Sequence, residues 1–337
     1  MKAALFEGPH RLHVAEKPLR PLQDEEVLIK VESCGVCGTD VHIVEGTSRS
    51  NRPVVLGHEY AGLVEEVGRN VTGVDLGRRV AIDPNISCRT CYYCRRGLVH
   101  LCSNLRALGV DIDGGMAEYC IVPATQAYAL PEGMSPEACA FIEPVSCVLH
   151  GIDRAKIQSG DTVVIVGAGT MGLIMLQFAR NAGATQVIVV EPLEHKREIA
   201  KKLGADEVIS PSESDVRSAV FDLTGVGADV VIECAGKAQA VELALELVRR
   251  GGVVELFGVC PIGEKIPIEP NQVYFKELKI VGSYINPNTF SRAISVLHSG
   301  LVLIDLFQID RFPLDAVHEA LDFQRTGKTI ATHWREV

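Results

Sequence analysis

The sequence predicts an α/β protein in two parts, a β-rich region and a doubly wound parallel sheet, and three observations carry that prediction. At 337 residues the chain is about two domains long. Within 1–150, the runs AALFEG, EVLIKVES, AGLVEEVG, RRVAID and AEYCIVP are short, β-branched or alternating, and bounded by Gly, Pro and Asp, as strands are. From about residue 160 the apolar runs TVVIVG, QVIVV, DVVIE, GVVELFG and KIVGSY alternate with the helical segments MGLIMLQFARNAG, REIAKKLG and AVELALELVRRG. That alternation builds βαβ units, whose strands are covered on both faces and hence apolar throughout. After about 286 come a helix (TFSRAISVLHSG), a short strand and a helix (LDAVHEALDFQRTG), with no further complete βαβ unit.

Composition narrows the function. Hydrophobic residues make up 47% and charged residues 23%, which excludes disordered and fibrous classes. Forty-three acidic against 33 basic side chains give a net charge of −10, which repels a phosphate backbone, so a small molecule and not a nucleic acid is the expected partner. The start, MKAALFEGPHRL, is too short in apolar residues for a signal core, and no 18-residue run is apolar enough for a bilayer. No membrane association and a cytoplasmic address are therefore expected. Eleven cysteines are an odd number for a fully paired secreted framework, and clustered thiols in a reducing compartment more often bind metal.

The clearest cluster is CRTCYYCRRGLVHLC, with Cys88, Cys91, Cys94 and Cys102 at C-x2-C-x2-C-x7-C. Four thiolates in one loop can close a tetrahedral shell around zinc; an iron–sulfur cluster is the competing metal. Four buried apolar cysteines would need a hydrophobic element, whereas Arg89, Arg95, Arg96 and Gly97 mark a loop. A closed four-sulfur shell leaves no open coordination position, so the predicted role of the loop 88–102 is structural.

A second group is CGVCGTDVH (34–42) followed by PVVLGHEYAG (53–62), which brings Cys37, His58 and Glu59 forward. Thiolate, imidazole and carboxylate are ligands of catalytic zinc, where an open place remains for substrate. A lone His in a Gly-bounded loop is ordinarily structural; the joint pattern is what points to metal. Thr39 and His42 supply a hydroxyl and an imidazole that can pass a proton outward.

TVVIVGAGTMG gives a strand, then Gly167, Gly169 and Gly172 as G-x-G-x-x-G with Thr170 and Met171 between, then a helix. Glycines there allow a tight turn, close approach to a pyrophosphate and helix packing, and the helix N-terminus offers amides to the anion. QVIVV ends at Glu191, 19 residues past Gly172, where an acid bonds a ribose 2′-hydroxyl and repels a 2′-phosphate. NAD is predicted over NADP, with Lys196 and Arg197 nearby as the opposing feature.

CGVCGTDVH, GHE, the four-cysteine loop, IEP at 142–144 and GAGTMG, in this order and across essentially the whole chain, resemble the zinc-containing medium-chain dehydrogenase/reductase superfamily. The resemblance implies a catalytic domain with a GroES-like β fold at 1–150 and 287–337, a Rossmann NAD-binding domain at 151–286, and an active site in the cleft. Cys37, His58 and Glu59 match the family's first zinc cysteine, its histidine and the following glutamate. Where ordinary alcohol dehydrogenases place a second ligand cysteine, this chain has Glu143 in FIEPVSCVLHG, a pattern similar to polyol (sorbitol) and threonine dehydrogenases. The implied zinc set is thus Cys37, His58 and Glu143, with Glu59 as a direct or water-mediated fourth ligand and Cys147 as the rival. The family also assigns strand ends to the nicotinamide side: Cys234-Ala235-Gly236, Phe257-Gly258-Val259 and Ser283-Tyr284-Ile285. Apolar strand ends are otherwise plain core.

The expected reaction is oxidation of a secondary alcohol, most readily a polyol to a ketose, with two zinc ions per chain and NAD. The hydroxyl proton would leave by Thr39, the nicotinamide ribose and His42 as hydride passes to the nicotinamide. The alternatives are threonine or another amino-alcohol, a simple secondary alcohol, and a non-catalytic nucleotide-binding protein. The loop EGTSRSNRP (45–53) could offer Arg49 or Arg52 to substrate, though both fit solvated charges, and Tyr128 and Phe290 are candidate pocket walls. Family habit suggests a homodimer or homotetramer through an edge strand near KIVGSYI.

Overall fold

The computed structural model describes residues 1–307, 309–326 and 331–335, with 323–326 and 331–335 as backbone only. By its internal contacts the chain divides into two units, one of 1–146, 286–298 and the described part of 309–335, the other of 147–285 and 299–307.

The first unit is β-rich. Its larger sheet runs Ala127–Ala129, Arg79–Ile82, Glu59–Val67, Glu26–Gly35, Ala331–Arg335 and Ile309–Phe312, with Tyr119–Pro123 also pairing to Glu26–Gly35. A second sheet orders Arg11–Glu16, Lys2–Gly8 and Val54–Val55. All five strands read from the sequence in this region form. Their inward side chains, among them Phe6, Ile29, Tyr60 and Ile82, make one buried core together with Leu56 and Met116 from the adjoining loops.

The second unit is the parallel sheet. Its six strands lie in the order Glu207–Ile209, Gln186–Val190, Thr162–Val166, Ala228–Glu233, Val248–Leu256 and Lys279–Gly282, and all neighbours are parallel. This is the 3-2-1-4-5-6 order of a doubly wound sheet, whose ligand face lies beyond the carboxyl ends of the strands. Helix Thr170–Asn181 is buried on all but its ends, as a crossover helix packed against a sheet must be.

Three details depart from the sequence reading. The helix in AVELALELVRRG stops at Leu247, because Val248 already pairs with Ala228 and opens the next strand. The short strand Glu207–Ile209 and the helix Val216–Thr224 lie hidden between runs of charged residues. The stretch 299–307 belongs to the second unit, whereas the sequence reading places the whole tail from 287 onward in the first. The Gln177 side chain explains it: its amide donates to the Leu303 carbonyl at 3.1 Å, and its oxygen accepts from the Leu303 amide at 2.7 Å. Positions 308, 327–330 and 336–337, which that assignment also covers, lie outside the described residues.

Candidate active site

Cys37 ends the loop after strand Glu26–Gly35 and caps helix Gly38–Glu45. Its amide donates to the Asp40 carboxylate at 2.9 Å, which fixes the first turn. His58 and Glu59 arrive on the neighbouring antiparallel strand, where Glu59 is the register partner of Gly35. The Cys37 sulfur, a His58 ring nitrogen and a Glu59 oxygen all lie within 4.8 Å of one another.

Charge shows what this cluster needs. Burial pushes the Cys37 thiol up, and pushes the Glu59 carboxyl up to about 8, with Glu143 and Asp40 adding repulsion to Glu59. Burial opposes the His58 imidazolium, but the Asp40 and Cys37 charges outweigh it and hold the ring well above its ordinary range. His58 Nδ1 faces Asp40 Oδ1 at 3.5 Å, and neither buried atom has a hydrogen-bond partner within ordinary limits. A thiol, an imidazole and a carboxyl crowded together out of water, with an acid orienting the imidazole, fit a divalent cation of borderline softness such as zinc.

Glu143 sits in the first turn of helix Ile142–Ala155 and is 7% exposed. Its charge is felt at Glu59 and at Asp83, yet its oxygens fall outside the 4.8 Å group of the other three. Cys147, one turn on in the same helix, belongs to the second unit. Thr39 and His42 are one turn apart on helix Gly38–Glu45, both half-buried, and the Thr47 hydroxyl lies 3.3 Å from the His42 ring on the solvent side.

Sequence reasoning misses two acids in this region. Asp40 lies unremarked inside CGTDVH, although an acid three residues past a helix cap is a capping signal. Asp83 accepts from the Asn85 amide at 3.0 Å and the Asn286 side chain at 3.4 Å, and burial pushes its carboxyl up to about 6. Nothing local in the sequence joins positions 83 and 286.

Other candidates resolve differently. The Arg49 side chain is 84% exposed beside Asp111, and Arg52 lies over the Phe6 ring. Phe290 is 1% exposed and stacks at 4.9 Å on half-buried Tyr128, so Phe290 is core and not a pocket wall.

Cys88, Cys91, Cys94 and Cys102 bring their sulfurs within 4.8 Å of one another. A tetrahedron of ~2.3 Å bonds has edges of about 3.8 Å; the Cys91 and Cys102 sulfurs are 3.9 Å apart. Backbone amides already aim at the sulfurs, those of Cys88 and Asn104 both reaching Cys102 at 3.3 Å. Donors on Thr90 and neighbouring amides pull the Cys88 thiol down to about 5 and amides lower Cys91, while burial and the adjoining thiols push Cys94 up to about 11.

In the second unit, Gly167 takes φ +104°, and a Cβ at Gly172 would lie 2.0 Å from the Gly167 carbonyl oxygen. Space above Gly169 is open to 4 Å, as an approaching anion demands. Gly169 caps the helix that opens with Thr170 and Met171. Glu191, 6% exposed, accepts from the Ala168 amide at 2.8 Å and the Leu193 amide at 3.0 Å. Lys196 is also buried, its ammonium disfavoured by that burial and favoured by Glu191. At the other strand ends Cys234 and Gly258 are half-buried, Val259 is 78% and Tyr284 53% exposed, and the buried Ser283 hydroxyl has no partner. These ends are partly covered, with Val259 and Tyr284 exposed to solvent.

A β-rich unit carrying two metal-competent clusters, and a doubly wound unit with a glycine-rich first turn, define a zinc-binding dehydrogenase. Comparison with known proteins agrees. The alcohol dehydrogenase GroES-like domain model matches residues 23–132 and the zinc-binding dehydrogenase model matches 170–299. L-threonine 3-dehydrogenase of Pyrococcus abyssi is 40% identical, covering 90% of this chain and 89% of its own. Sorbitol dehydrogenase of Bombyx mori is 32% identical, covering 97% and 96%. A protein of Sinorhizobium meliloti 1021 described as a zinc-binding dehydrogenase, solved with NADP, superposes with TM-score 0.96 at 41% identity over 99% of both chains. An alcohol dehydrogenase of Escherichia coli CFT073 complexed with NADH gives 0.93 at 30% identity over 100% and 99%.

The chain belongs to the zinc-dependent medium-chain dehydrogenase/reductase superfamily, in its polyol and threonine dehydrogenase-like branch. It is an alcohol oxidoreductase that uses a nicotinamide coenzyme. No helix among the described residues is long and apolar enough to cross a membrane.

Proposed function

We propose that the protein oxidises a polyol to a ketose with NAD, using one zinc ion held by Cys37, His58 and Glu143, with Glu59 as fourth ligand, and a second held by Cys88, Cys91, Cys94 and Cys102. The observation that carries the reading is the mutual approach of Cys37, His58 and Glu59 beside buried Asp40. Glu143 is included on the family resemblance of IEP, with its charge felt at Glu59 although its oxygens stand outside the Cys37, His58 and Glu59 group. When bound, zinc supplies Lewis acidity to a hydroxyl oxygen and the nicotinamide accepts a hydride.

The chain's own groups do the rest. Asp40 holds the His58 ring in orientation, as a carboxylate behind a ligand histidine does. Thr39 accepts the substrate hydroxyl proton while giving up its own, and His42, at the outer end of the proposed relay, releases a proton to water next to the exposed Thr47 hydroxyl. Gly167, Gly169 and Gly172, with Thr170 and Met171, cradle the pyrophosphate. Glu191 receives the adenosine ribose, and a carboxylate there opposes a 2′-phosphate, which supports NAD over NADP. Cys234, Gly258, Val259, Ser283 and Tyr284 border the nicotinamide end, and Lys196 flanks the ribose.

A threonine substrate is the second reading, supported by the 40% identity to a threonine dehydrogenase against 32% to a sorbitol dehydrogenase. The assembly we infer is a homodimer or homotetramer. Lys279–Gly282 ends its sheet, and Tyr274 and Phe275 nearby in sequence are 77% and 70% exposed. Eleven free cysteines support a reducing, cytoplasmic setting.

One experiment tests the reading: NADH formation with a panel of polyols, phosphorylated sugars, threonine and simple secondary alcohols, alongside zinc content. Turnover of a polyol with two zinc ions per chain, falling to one zinc and no turnover in Cys37→Ser, is expected. Turnover of threonine alone replaces the polyol reading with the second. Full activity in Cys37→Ser overturns the site.

A further inference from the structure

Glu233 ends strand Ala228–Glu233 and is completely buried, although its position is the last before an exposed turn. One carboxylate oxygen accepts from two consecutive amides, Ala235 and Gly236, each at 2.7 Å. The Glu233 carbonyl accepts from Phe257 at 3.0 Å and Gly258 at 2.8 Å on the next strand end. Its side chain therefore holds the 234–236 turn and its backbone carbonyl the 257–259 turn, with the second carboxylate oxygen packed beside Gly258.

Those turns are built to close on that point. Gly236 has φ +65°, and a Cβ on it would come 2.7 Å from the Val259 carbonyl oxygen. A Cβ on Gly258 would lie 2.6 Å from the second Glu233 oxygen and 2.3 Å from the Gly236 nitrogen. A Cβ on Gly167, in the first glycine turn, would stand 3.2 Å from the Ala235 nitrogen. The 234–236 turn thus lies against both the first glycine turn and the 257–259 turn at the carboxyl edge of the sheet, with Glu233 beneath it. Burying a carboxyl there is costly, and burial raises its pKa against the pull of the amides. A group kept at such cost sets a backbone path that apolar residues would leave free.

We propose that Glu233 is a positioning residue for the coenzyme, presetting the turns 234–236 and 257–259 that receive the nicotinamide half; the proposal rests on the reading of this sheet edge as the dinucleotide face. Glu233 itself touches no coenzyme. It removes the ordering cost that mobile turns would impose on each binding event. Its second oxygen, buried without a hydrogen-bond partner beside Gly258, leaves no room for a side chain at 258.

The test compares wild type with Glu233→Ala and Glu233→Gln in the full-length enzyme. Measurements are NADH affinity by fluorescence titration, KM for NAD, KM for the alcohol, kcat, and amide hydrogen exchange at Ala235 and Gly236. Losing the acceptor for two consecutive amides, and with it the preset turn, predicts a tenfold or greater rise in NADH Kd and in KM for NAD for Glu233→Ala. The alcohol KM stays within twofold, and exchange at Ala235 and Gly236 quickens. Glu233→Gln, which keeps an acceptor oxygen, recovers most of the NADH affinity. Coenzyme affinity equal to wild type in a folded Glu233→Ala overturns the proposal, as does an equal loss for coenzyme and alcohol. If Glu233→Ala does not fold, Glu233→Asp, whose shorter side chain withdraws the acceptor from both amides, takes its place: a raised NADH Kd with faster exchange at Ala235 and Gly236 supports the proposal, and an NADH Kd equal to wild type overturns it. Failure of wild type to bind NADH at all defeats the dinucleotide reading itself and is seen before any variant is made.

Discussion

Gly35 and Glu59 are register partners on adjacent antiparallel strands, and a Cβ on Gly35 would lie 2.2 Å from a Glu59 carboxylate oxygen. The missing side chain at 35 is what lets the Glu59 carboxyl turn toward Cys37 and His58. Gly35→Ala is therefore expected to displace the Glu59 carboxylate while the sheet persists. Changes in groups that orient a metal ligand typically cost 10- to 100-fold in metal affinity or activity, so zinc retention against a chelator and kcat should both fall at least about tenfold. Unchanged zinc retention in a folded Gly35→Ala protein would show that Glu59 plays no part in holding the ion.

Why Gly35 matters is not legible in CGVCGTDVH, since the pairing of 35 with 59 is a tertiary register. Local signals carry much more. Period and breakers place the longer strands of both units, because alternating and all-apolar runs reflect one-sided and two-sided burial, but miss short ones such as Glu207–Ile209. Cysteine spacing brings 88, 91, 94 and 102 together because fifteen residues of loop can hardly avoid meeting around an ion. Glu143 is the intermediate case: its place in IEP is visible, but its approach to Glu59 depends on where the helix Ile142–Ala155 packs, which is tertiary. Asp83 with Asn286, and Glu233 beneath the 257–259 turn, join residues remote in sequence, which composition and periodicity cannot connect.

The four-cysteine loop should be separable from turnover. Its sulfurs come from one stretch, braced by only a two-stranded ribbon, Asn85–Ile86 with Arg106–Ala107. Cys91→Ser should lower zinc content by one equivalent and sharply raise proteolytic cleavage within 88–102, while coenzyme affinity of the intact protein stays near wild type. Limited proteolysis with zinc quantitation checks this, and a variant that still holds two zinc ions would refute the four-sulfur site.

On the proposed reading, coenzyme choice turns on Glu191. Its carboxylate accepts from Ala168 and Leu193 and stands near buried Lys196. Glu191→Ala removes a charge that would repel a 2′-phosphate and leaves the lysine to attract one. NADP should gain on NAD by at least about tenfold in kcat/KM, the effect of roughly 1.4 kcal/mol. If the ratio of the two coenzymes does not move, Glu191 does not read the ribose.

Glu255 makes the last prediction, and it concerns stability. Residue 255 is fully buried on strand Val248–Leu256, and neither carboxylate oxygen has a hydrogen-bond partner. A Cβ on Gly151 of the covering helix would meet one of those oxygens at 2.9 Å, with Phe257 and Met175 equally close. Burial pushes the carboxyl up to about 8, against a partial pull from Arg154, and Cys234 is the other titratable group that feels its charge. The folded state thus prefers the protonated acid, whereas the unfolded chain ionises near about 4.3. Between these values the native state holds a proton that the unfolded state has released. Stability should decline as pH rises across that window, by up to about 1.4 kcal/mol per unit from this group, and level off above about 8. Glu255→Gln, neutral at every pH and nearly the same shape, should remove this contribution. Urea midpoints of wild type and Glu255→Gln measured between about pH 5.5 and 8.5, inside and just past that window, ought to diverge, the variant becoming the more stable of the two at the alkaline end. Parallel curves would mean that Glu255 stays ionised inside the protein with a partner of its own.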